Sequence, residues 1–271
     1  MRLTISHKTQ YHYDEPVHYA LQQLRLTPKP RAGQKVLSWK TNIEGGVKQL
    51  EYDDQHNNHV ELVSFDDGRS DITIHCEGVV ETVDNSGIVG MHGGFAPLWL
   101  FLRSTPLTRA GNNVRKLVKA AGGDFSGDVD RLHALSAEIG RTVEYETGRT
   151  SASTTAEETL DAGHGVCQDH THVFVAAARL MGFPARYVSG YLMMNDRVEQ
   201  EAGHAWAEAY VKELGWVGFD ISNGISPDER YVRVATGRDY RDAAPVTGIS
   251  FGTTSTVLEV DVAVEQQQVQ Q

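Results

Sequence analysis

One segment constrains this chain more than any other: residues 163–192 read GHGVCQDHTHVFVAAARLMGFPARYVSGYL. Two glycines permit a tight turn before Cys167, and apolar residues then recur at helical spacing. Gly182 and Pro184 are the residues that end a helix, and a strand-like run follows them. The segment therefore predicts a helix over residues 166–180 with Cys167 in its first turn.

Two later segments place an imidazole and a carboxylate on neighbouring strands. His204 begins the run GHAWAEAYV, and Asp220 lies in GWVGFDISNG. The strand 204–211 alternates small apolar residues with larger ones, so its small-residue face suits close packing on a helix. A turn at 213–215 joins it to a strand over 216–221, which predicts an antiparallel hairpin. Neighbouring strands lie about 4.8 Å apart, so Asp220 is expected beside His204.

A thiol, an imidazole and a carboxylate in this chain order predict a nucleophilic triad. Cys167 is the expected nucleophile, because the free N–H groups and the dipole of a helix N-terminus favour a thiolate over a thiol whose ordinary pKa is about 8.5. His204 would take the proton of Cys167 and later return it to a leaving group, and Asp220 would orient the imidazole. The backbone N–H of Cys167 is one candidate oxyanion donor.

These motifs carry a resemblance that covers nearly the whole chain. The chain resembles the transglutaminase-like superfamily of papain-type thiol enzymes, and within it the bacterial transglutaminase-like proteins regarded as cysteine proteases. The matching stretches are GVCQDHTH, GFPARYVSGY, GHAWAEAYV and GWVGFDISNG, the opening runs LTISHKTQYHYDEPV and LQQLRLTPKP, and the tail YVRVATGRDYRDAAPVTGISFG. By motif position, the resemblance assigns Cys167, His204 and Asp220 to the family's nucleophile, base and orienting roles. The subgroup often has Asp-Pro-Thr-Asn where residues 220–223 read Asp-Ile-Ser-Asn.

The resemblance implies an α+β fold: a papain-like transglutaminase core, with the Cys-bearing helix packed on an antiparallel sheet, preceded by an N-terminal β-sandwich. Short alternating runs with turn punctuation agree with a sandwich over residues 1–85. Residues 86–271 are then the transglutaminase-like catalytic domain, with a Gly-rich linker at about 85–96. In this domain the sequence predicts helices over 113–121, 129–143 and 154–162. Asp128 is expected to cap the second helix, and Ser153 or Thr154 the third, where Glu157 or Glu158 completes a capping box. Strands near 231–235 and 256–264 are expected to complete the catalytic sheet.

Three further residues are supporting or oxyanion candidates. Gln168 and Asp169 lie in the first turn of the Cys helix, where an acid suits the helix dipole. A second oxyanion donor must come from outside that helix, and the resemblance points to the preceding segment, which holds Tyr145. A plain packing role for Tyr145 is an equally good interpretation. The N-terminal sandwich is not expected to supply a donor. Cys76 continues the apolar face of a strand and is expected to be a buried structural thiol.

A cluster of metal-binding side chains also surrounds the nucleophile. His164, Cys167 and His170 are evenly spaced, and thiolate with imidazole suits zinc. Structural zinc sites usually contain paired cysteines, however, and only one Cys is present here. A regular helix also separates Cys167 from His170 and His172. The sequence therefore predicts no metal and no other cofactor.

Composition narrows the classes of partner. The 271 residues carry a formal net charge of -11, which argues against nucleic acid as a partner. The two cysteines form no disulfide framework, and a free thiol nucleophile fits a reducing compartment. Because the first residues lack an apolar signal region and no run reaches transmembrane length, a cytoplasmic protein without membrane contact is expected.

The expected function is thiol-dependent acyl transfer that cleaves an amide or peptide bond through a Cys167 thioester. The expected substrate is a peptide or protein amide. The resemblance favours hydrolysis, as in a cysteine protease or amidase. Transfer to an amine, as in a protein-glutamine transglutaminase, is the alternative. A non-catalytic or zinc-holding binding module is a further alternative. The sequence leaves the substrate and the oligomeric state open.

Overall fold

The computed structural model describes residues 1–17, 19–251 and 256–267, and strands dominate it. Apolar residues at every second position, bounded by turns, account for most of the strands. The strands are Arg2–Val17 (β1), Tyr19–Leu24 (β2), Gln34–Glu44 (β3), Gly46–Asp53 (β4), His59–Phe65 (β5), Arg69–Thr82 (β6), Ile88–Gly90 (β7), Glu144–Tyr145 (β8), His164–Gly165 (β9), Ala185–Leu192 (β10), Glu199–Gln200 (β11), His204–Val211 (β12), Gly215–Phe219 (β13), Tyr231–Gly237 (β14), Val246–Phe251 (β15) and Thr256–Gln266 (β16).

The helices lie mostly between β7 and β10, with a short one after β14. They are Asn112–Ala120 (α1), Asp128–Thr142 (α2), Ala156–Ala162 (α3), Cys167–Leu180 (α4) and Tyr240–Ala243 (α5), with a 3-10 helix at Leu98–Leu102. No helix in the described residues is long and apolar enough to span a lipid bilayer.

Two sheets face each other to form the sandwich. The first has the strand order β11-β16-β1-β6-β3, and the second has the order β15-β2-β5-β4. Side chains from both sheets meet in one buried apolar cluster, which includes Leu24, Val63, Ile74 and Cys76. Cys76 is therefore a buried core thiol, as predicted, and burial raises its pKa to about 12.

The third sheet carries the helices and has the order β14-β10-β12-β13-β7. Helix α4 packs on β12, where the small residues Ala207 and Ala209 share an apolar cluster with Val173 and Ala177. Small side chains on β12 allow the helix to approach the sheet closely. The predicted hairpin is also present, because β12 and β13 pair with Val211 opposite Gly215. This α+β arrangement confirms the predicted fold class.

Two predicted helix caps are wrong. Helix α2 begins at Asp128 rather than after it, and its N-cap is Gly127. The cap of α3 is Thr155, whose side chain forms a capping box with Glu158. The neighbouring Glu157 instead accepts the N–H groups of Gly111, Asn113 and Val114 at the start of α1. Adjacent hydroxyl and acidic residues made the correct cap ambiguous from sequence alone.

The prediction that a strand near 256–264 completes the catalytic sheet is also wrong. Strand β16 pairs with β1 along its length, from Leu3 opposite Gln266 to Tyr13 opposite Thr256. Strand β15 likewise pairs with β2. The end of the chain therefore returns to the sandwich, because the edges of β1 and β2 offer long unpaired rows of backbone groups. The sheets consequently do not divide at residue 85, and the division into two folding units stays a proposal.

Candidate active site

Cys167 is the first residue of α4, directly after a turn that a buried carboxylate holds in place. Asp169 Oδ2 accepts the Val166 N–H at 2.8 Å and the Thr150 hydroxyl at 2.7 Å. Gly165 lies against this carboxylate, and an added Cβ there would meet the Asp169 side chain at 2.7 Å. Asp169 thus fixes the backbone that presents Cys167, and the sulfur lies where the helix dipole favours negative charge.

His204 begins β12, and Asp220 directly follows β13, so the hairpin brings the two side chains together. His204 Nε2 and Asp220 Oδ2 are 2.6 Å apart, and both side chains are buried. The ring nitrogen left for Cys167 is therefore Nδ1. Cys167 and His204 line the same cavity, and Cys167 contributes to the raised pKa of His204.

Burial and hydrogen bonding act in opposite directions on His204. Burial alone would lower its pKa, but hydrogen bonds and charge interactions with Asp220 and Cys167 outweigh it and raise the pKa to about 10. Burial likewise works against ionised Asp220, yet its contacts hold the pKa of the carboxyl below the usual range. Both shifts favour an imidazolium paired with the Asp220 carboxylate.

Sequence reasoning missed two partners of Asp220. The Tyr231 hydroxyl donates to Asp220 Oδ2 at 2.7 Å, and so does the Asn223 side-chain amide at 2.7 Å. The Asn223 backbone N–H also donates to Oδ1 at 3.2 Å. Asn223 carried a signal, because it retains the last residue of the family's Asp-Pro-Thr-Asn run. Tyr231 carried none, since it comes from a different strand.

Two of the histidines considered for zinc, His170 and His172, form hydrogen bonds with protein groups. His170 Nε2 lies 3.1 Å from the Val143 carbonyl oxygen, so it is the donor, and Nδ1 accepts the Ser222 hydroxyl at 2.8 Å. His172 Nε2 accepts the Tyr240 backbone N–H. Burial lowers the pKa of both imidazoles, which keeps them neutral. Hydrogen bonding to protein groups accounts for both nitrogens of His170 without a metal.

The remaining predicted residues lie around the same centre. Gln168 lines the cavity beside Cys167 and His204. Tyr145 is about half exposed, and its ring centroid lies 6.1 Å from that of His170. Strand β8 pairs with β9, with Tyr145 opposite Gly165, so Tyr145 flanks the turn that precedes Cys167.

Cys167 and His204 open into a cavity of about 280 Å³ between the third sheet and the sandwich. Its walls are largely aromatic and aliphatic, and both parts of the fold contribute to them. The sandwich side includes Tyr11, Leu26, Val246, Leu258 and Val260, and the other side includes Tyr187, Tyr191 and Tyr240. Arg25 also lines the cavity, and it is paired with Asp54.

Two family models match this chain. The model of the transglutaminase-like superfamily matches residues 115–221, and that of the bacterial transglutaminase-like N-terminal region matches residues 3–81. The first match contains Cys167, His204 and Asp220. Residues 115–221 are therefore similar to the transglutaminase-like core, and residues 3–81 are similar to the N-terminal region of bacterial transglutaminase-like proteins.

Individual relatives agree with the family match. The uncharacterized protein ML0607 of Mycobacterium leprae is 28% identical over 281 residues, covering 97% of this chain and 98% of that protein. The uncharacterized protein Mb2599c of Mycobacterium bovis is 37% identical over 147 residues, which cover 51% of this chain and 46% of that protein. This chain thus spans about half the length of the second relative.

A solved structure from Cytophaga hutchinsonii, described as a "putative cysteine protease", shares the fold. It aligns with a TM-score of 0.77 at 22% sequence identity and covers 100% of this chain and 92% of that one. This similarity supports the α+β architecture over the full length of the chain.

Proposed function

We propose that this protein is a thiol-dependent acyl-transfer enzyme that cleaves an amide or peptide bond, with Cys167 as nucleophile. The observation that carries the proposal is the buried 2.6 Å contact between His204 and Asp220 beside a helix-terminal thiol. A buried imidazole whose pKa is raised by an acid and a thiol matches the electrostatics that activate a Cys nucleophile.

The proposed reaction has two halves. In the first, the Cys167 sulfur attacks the amide carbon, and His204 donates its Nδ1 proton to the departing amine nitrogen as the C–N bond breaks. The product is a thioester on Cys167. In the second half, His204 removes a proton from water, the resulting hydroxide attacks the thioester carbon, and the acid leaves as the sulfur regains its negative charge. Asp220 keeps Nε2 protonated throughout, so that Nδ1 faces the reaction.

The oxyanion needs donors at the start of α4. Cys167 occupies the first helical position, where the backbone N–H has no acceptor one turn earlier in the helix. This N–H can therefore stabilise the tetrahedral oxyanion. Tyr145 remains the proposed second donor, because it flanks the turn that precedes Cys167.

Water is the proposed acceptor, which makes the enzyme a hydrolase. An amine acceptor is the second candidate, because the family models that match the chain are those of transglutaminase-like proteins. The aromatic and aliphatic cavity walls favour an apolar group next to the scissile bond in either case. The substrate class proposed is therefore a peptide or protein amide with an apolar side chain near the cleaved bond.

Two measurements test the proposal. The first is the rate of iodoacetamide labelling at each cysteine, read by peptide mass. Cys167 is expected to react far faster than Cys76, whose thiol is buried and has a raised pKa. Equal, slow labelling of both would favour a non-catalytic binding module.

The second measurement identifies the acceptor. Quenched peptides and glutamine-containing peptides are incubated with the protein, with and without a primary amine, and the product masses are recorded. Hydrolysis predicts acid products whose amount does not depend on the amine. Amine adducts as the main product would replace hydrolysis with transfer, and no product from any substrate with either acceptor would count against both.

A further inference from the structure

A second cavity, of about 270 Å³, is strongly basic. Three arginines line it: Arg31 from the loop before β3, Arg186 from β10 and Arg233 from β14. Lys29 and His56 also line it. No aspartate or glutamate is among its lining residues in the described part of the chain.

The carboxylate of Glu208, which pairs with two of these arginines, neutralises only part of the positive charge. Glu208 is fully buried and pairs with Arg186 at 2.5 Å and with Arg233 at 2.9 Å. Burial would raise the pKa of Glu208, but the surrounding arginines outweigh that and lower it to about 2. Three guanidinium groups and one carboxylate leave an excess of two positive charges, because arginine stays protonated in proteins.

The charge of Arg31 is only partly compensated, by the Glu208 carboxylate that Arg186 and Arg233 also share. Its Nη1 is buried without a hydrogen-bond partner, and its side chain makes no ion pair within residues 1–17, 19–251 and 256–267. Burial and the two neighbouring arginines hold its pKa well below the ordinary value. Arg31 is only partly exposed, and a guanidinium held beside two others without an ion pair of its own is costly, whereas Lys29, at the same cavity, is paired with Asp53.

We propose that this cavity binds a small oxyanion with two negative charges, carried by a phosphate or by a pair of carboxylates. Guanidinium groups bind both kinds of oxygen in two-point contacts, and two charges balance the excess in the wall. The site lies between the sandwich and the third sheet, so the bound anion would join Arg31 to Arg186 and Arg233 across that boundary.

The test uses the full chain and two probes, inorganic phosphate and malonate, titrated by calorimetry and by thermal unfolding. Sodium chloride at matched ionic strength is the reference. Wild type is expected to show saturable binding of at least one probe and a rise in melting temperature beyond that in chloride. The tighter probe identifies the chemistry of the anion. No response to either probe beyond chloride overturns the proposal.

Substitutions locate the site. Arg31→Gln is expected to weaken binding by about tenfold or more, since a charged two-point contact is lost. The control Arg115→Gln, on the exposed surface of α1, is expected to bind as wild type. If Arg31→Gln does not fold, Arg31→Lys serves in its place. Lysine keeps the charge but loses the planar guanidinium and its two-point contact, so this variant is expected to bind the anion more weakly than wild type. Unchanged binding by the folded Arg31 variant overturns the site.

Two further results separate this site from the proposed catalytic function and from a structural role. Cys167→Ala is expected to bind the anion with wild-type affinity. In chloride alone, Arg31→Gln is expected to melt at a higher temperature than wild type, because a positive charge that is repelled by Arg186 and Arg233 has been removed. If Arg31→Gln melts at a lower temperature than wild type in chloride, protein groups around the cavity already stabilise the Arg31 guanidinium without an anion, which contradicts the proposal.

Discussion

The carboxylate of Asp220 is fully buried and accepts hydrogen bonds from three side chains: His204, Tyr231 and Asn223. Such a carboxylate is held ionised and fixed in direction, so it determines both the tautomer and the orientation of the imidazole. The His204 ring in turn faces Cys167. At the residue scale, the proposed chemistry therefore depends on the electrostatics of one buried imidazole.

The raised pKa of His204 predicts the alkaline limit of the reaction. The protonated imidazole, which donates to the leaving amine, is present below its folded-state pKa of about 10 and is lost as the pH rises through that value. Acyl transfer should therefore decline near pH 10, whereas alkylation of Cys167, which needs only the thiolate, should not. Parallel pH profiles of turnover and of iodoacetamide labelling check this. An alkaline decline near pH 6.5, the ordinary value for histidine, would contradict it.

Substitutions of Asp220 and of its hydrogen-bond partners should shift the alkaline decline of activity by different amounts. Asp220→Asn removes the charge that stabilises the imidazolium, so the alkaline decline should shift to lower pH by about one unit or more. Tyr231→Phe removes one hydrogen bond and should produce a smaller shift in the same direction. Activity should fall less in Asp220→Asn than in His204→Ala, since the amide can still orient the ring. A pH profile of Asp220→Asn identical to wild type would remove Asp220 from this role.

At the scale of single elements, the start of α4 depends on Asp169. Its Oδ2 accepts from both Val166 and Thr150, and its side chain fills the space beside Gly165. The first-turn acid predicted from sequence thus holds together the loop before Cys167 and the helix that follows. The position of the nucleophile rests on this local arrangement.

Asp169→Ala should therefore lower both stability and activity. Two partly buried donors lose their acceptor, which predicts a loss of about 1–3 kcal/mol in the free energy of unfolding, measured by urea titration. The labelling rate of Cys167 should fall as well, because the turn that presents it loosens. The matched control is Asp161→Ala, an exposed acid on α3, which should stay within about 0.5 kcal/mol of wild type. Wild-type stability and labelling in Asp169→Ala would refute this assignment.

Sequence periodicity was sufficient to predict single helices and hairpins but not the contacts between distant elements. Helix α4 and the hairpin of β12 and β13 were predictable, because each follows from local spacing and turn residues. The contact of Tyr231 with Asp220 and the role of Glu157 at the start of α1 were not, since they join different elements. Local patterns contain no information on which distant group satisfies a buried donor or acceptor.

At the scale of the whole molecule, the sandwich contains strands from both ends of the chain, and the sandwich and the helical part both line the main cavity. Strands β15 and β16 follow the third sheet in the chain but pair with β2 and β1. An apolar cluster that includes Ile5, Val232 and Val264 also joins the two parts. A chain beginning at Ala96 would leave β15 and β16 without these partners and would remove the sandwich residues that line the cavity.

The sandwich wall should therefore influence substrate binding without changing the reactivity of the thiol. Leu258 lines the cavity from β16 and is about half exposed, so the fold should tolerate Leu258→Trp. The larger side chain narrows the cavity, which should raise KM about tenfold and change kcat less. Cys167 should react with iodoacetamide, a small reagent, at the wild-type rate.

The matched control for Leu258→Trp is Val257→Trp. Val257 is the adjacent residue of β16, similarly exposed, and it lines a different cavity because successive side chains of a strand point to opposite faces. Its KM should equal that of wild type. Equal effects of the two substitutions would mean that the sandwich wall does not contact the substrate.

The most direct test of the central claim is the intact mass of the protein after rapid acid quenching during turnover. A covalent thioester predicts a mass increase equal to the acyl part of the substrate, located on the peptide that contains Cys167. Cys167→Ala should show neither the adduct nor turnover, and His204→Ala should form the adduct about 10²–10⁴-fold more slowly. Turnover by Cys167→Ala within about tenfold of the wild-type rate would contradict the account.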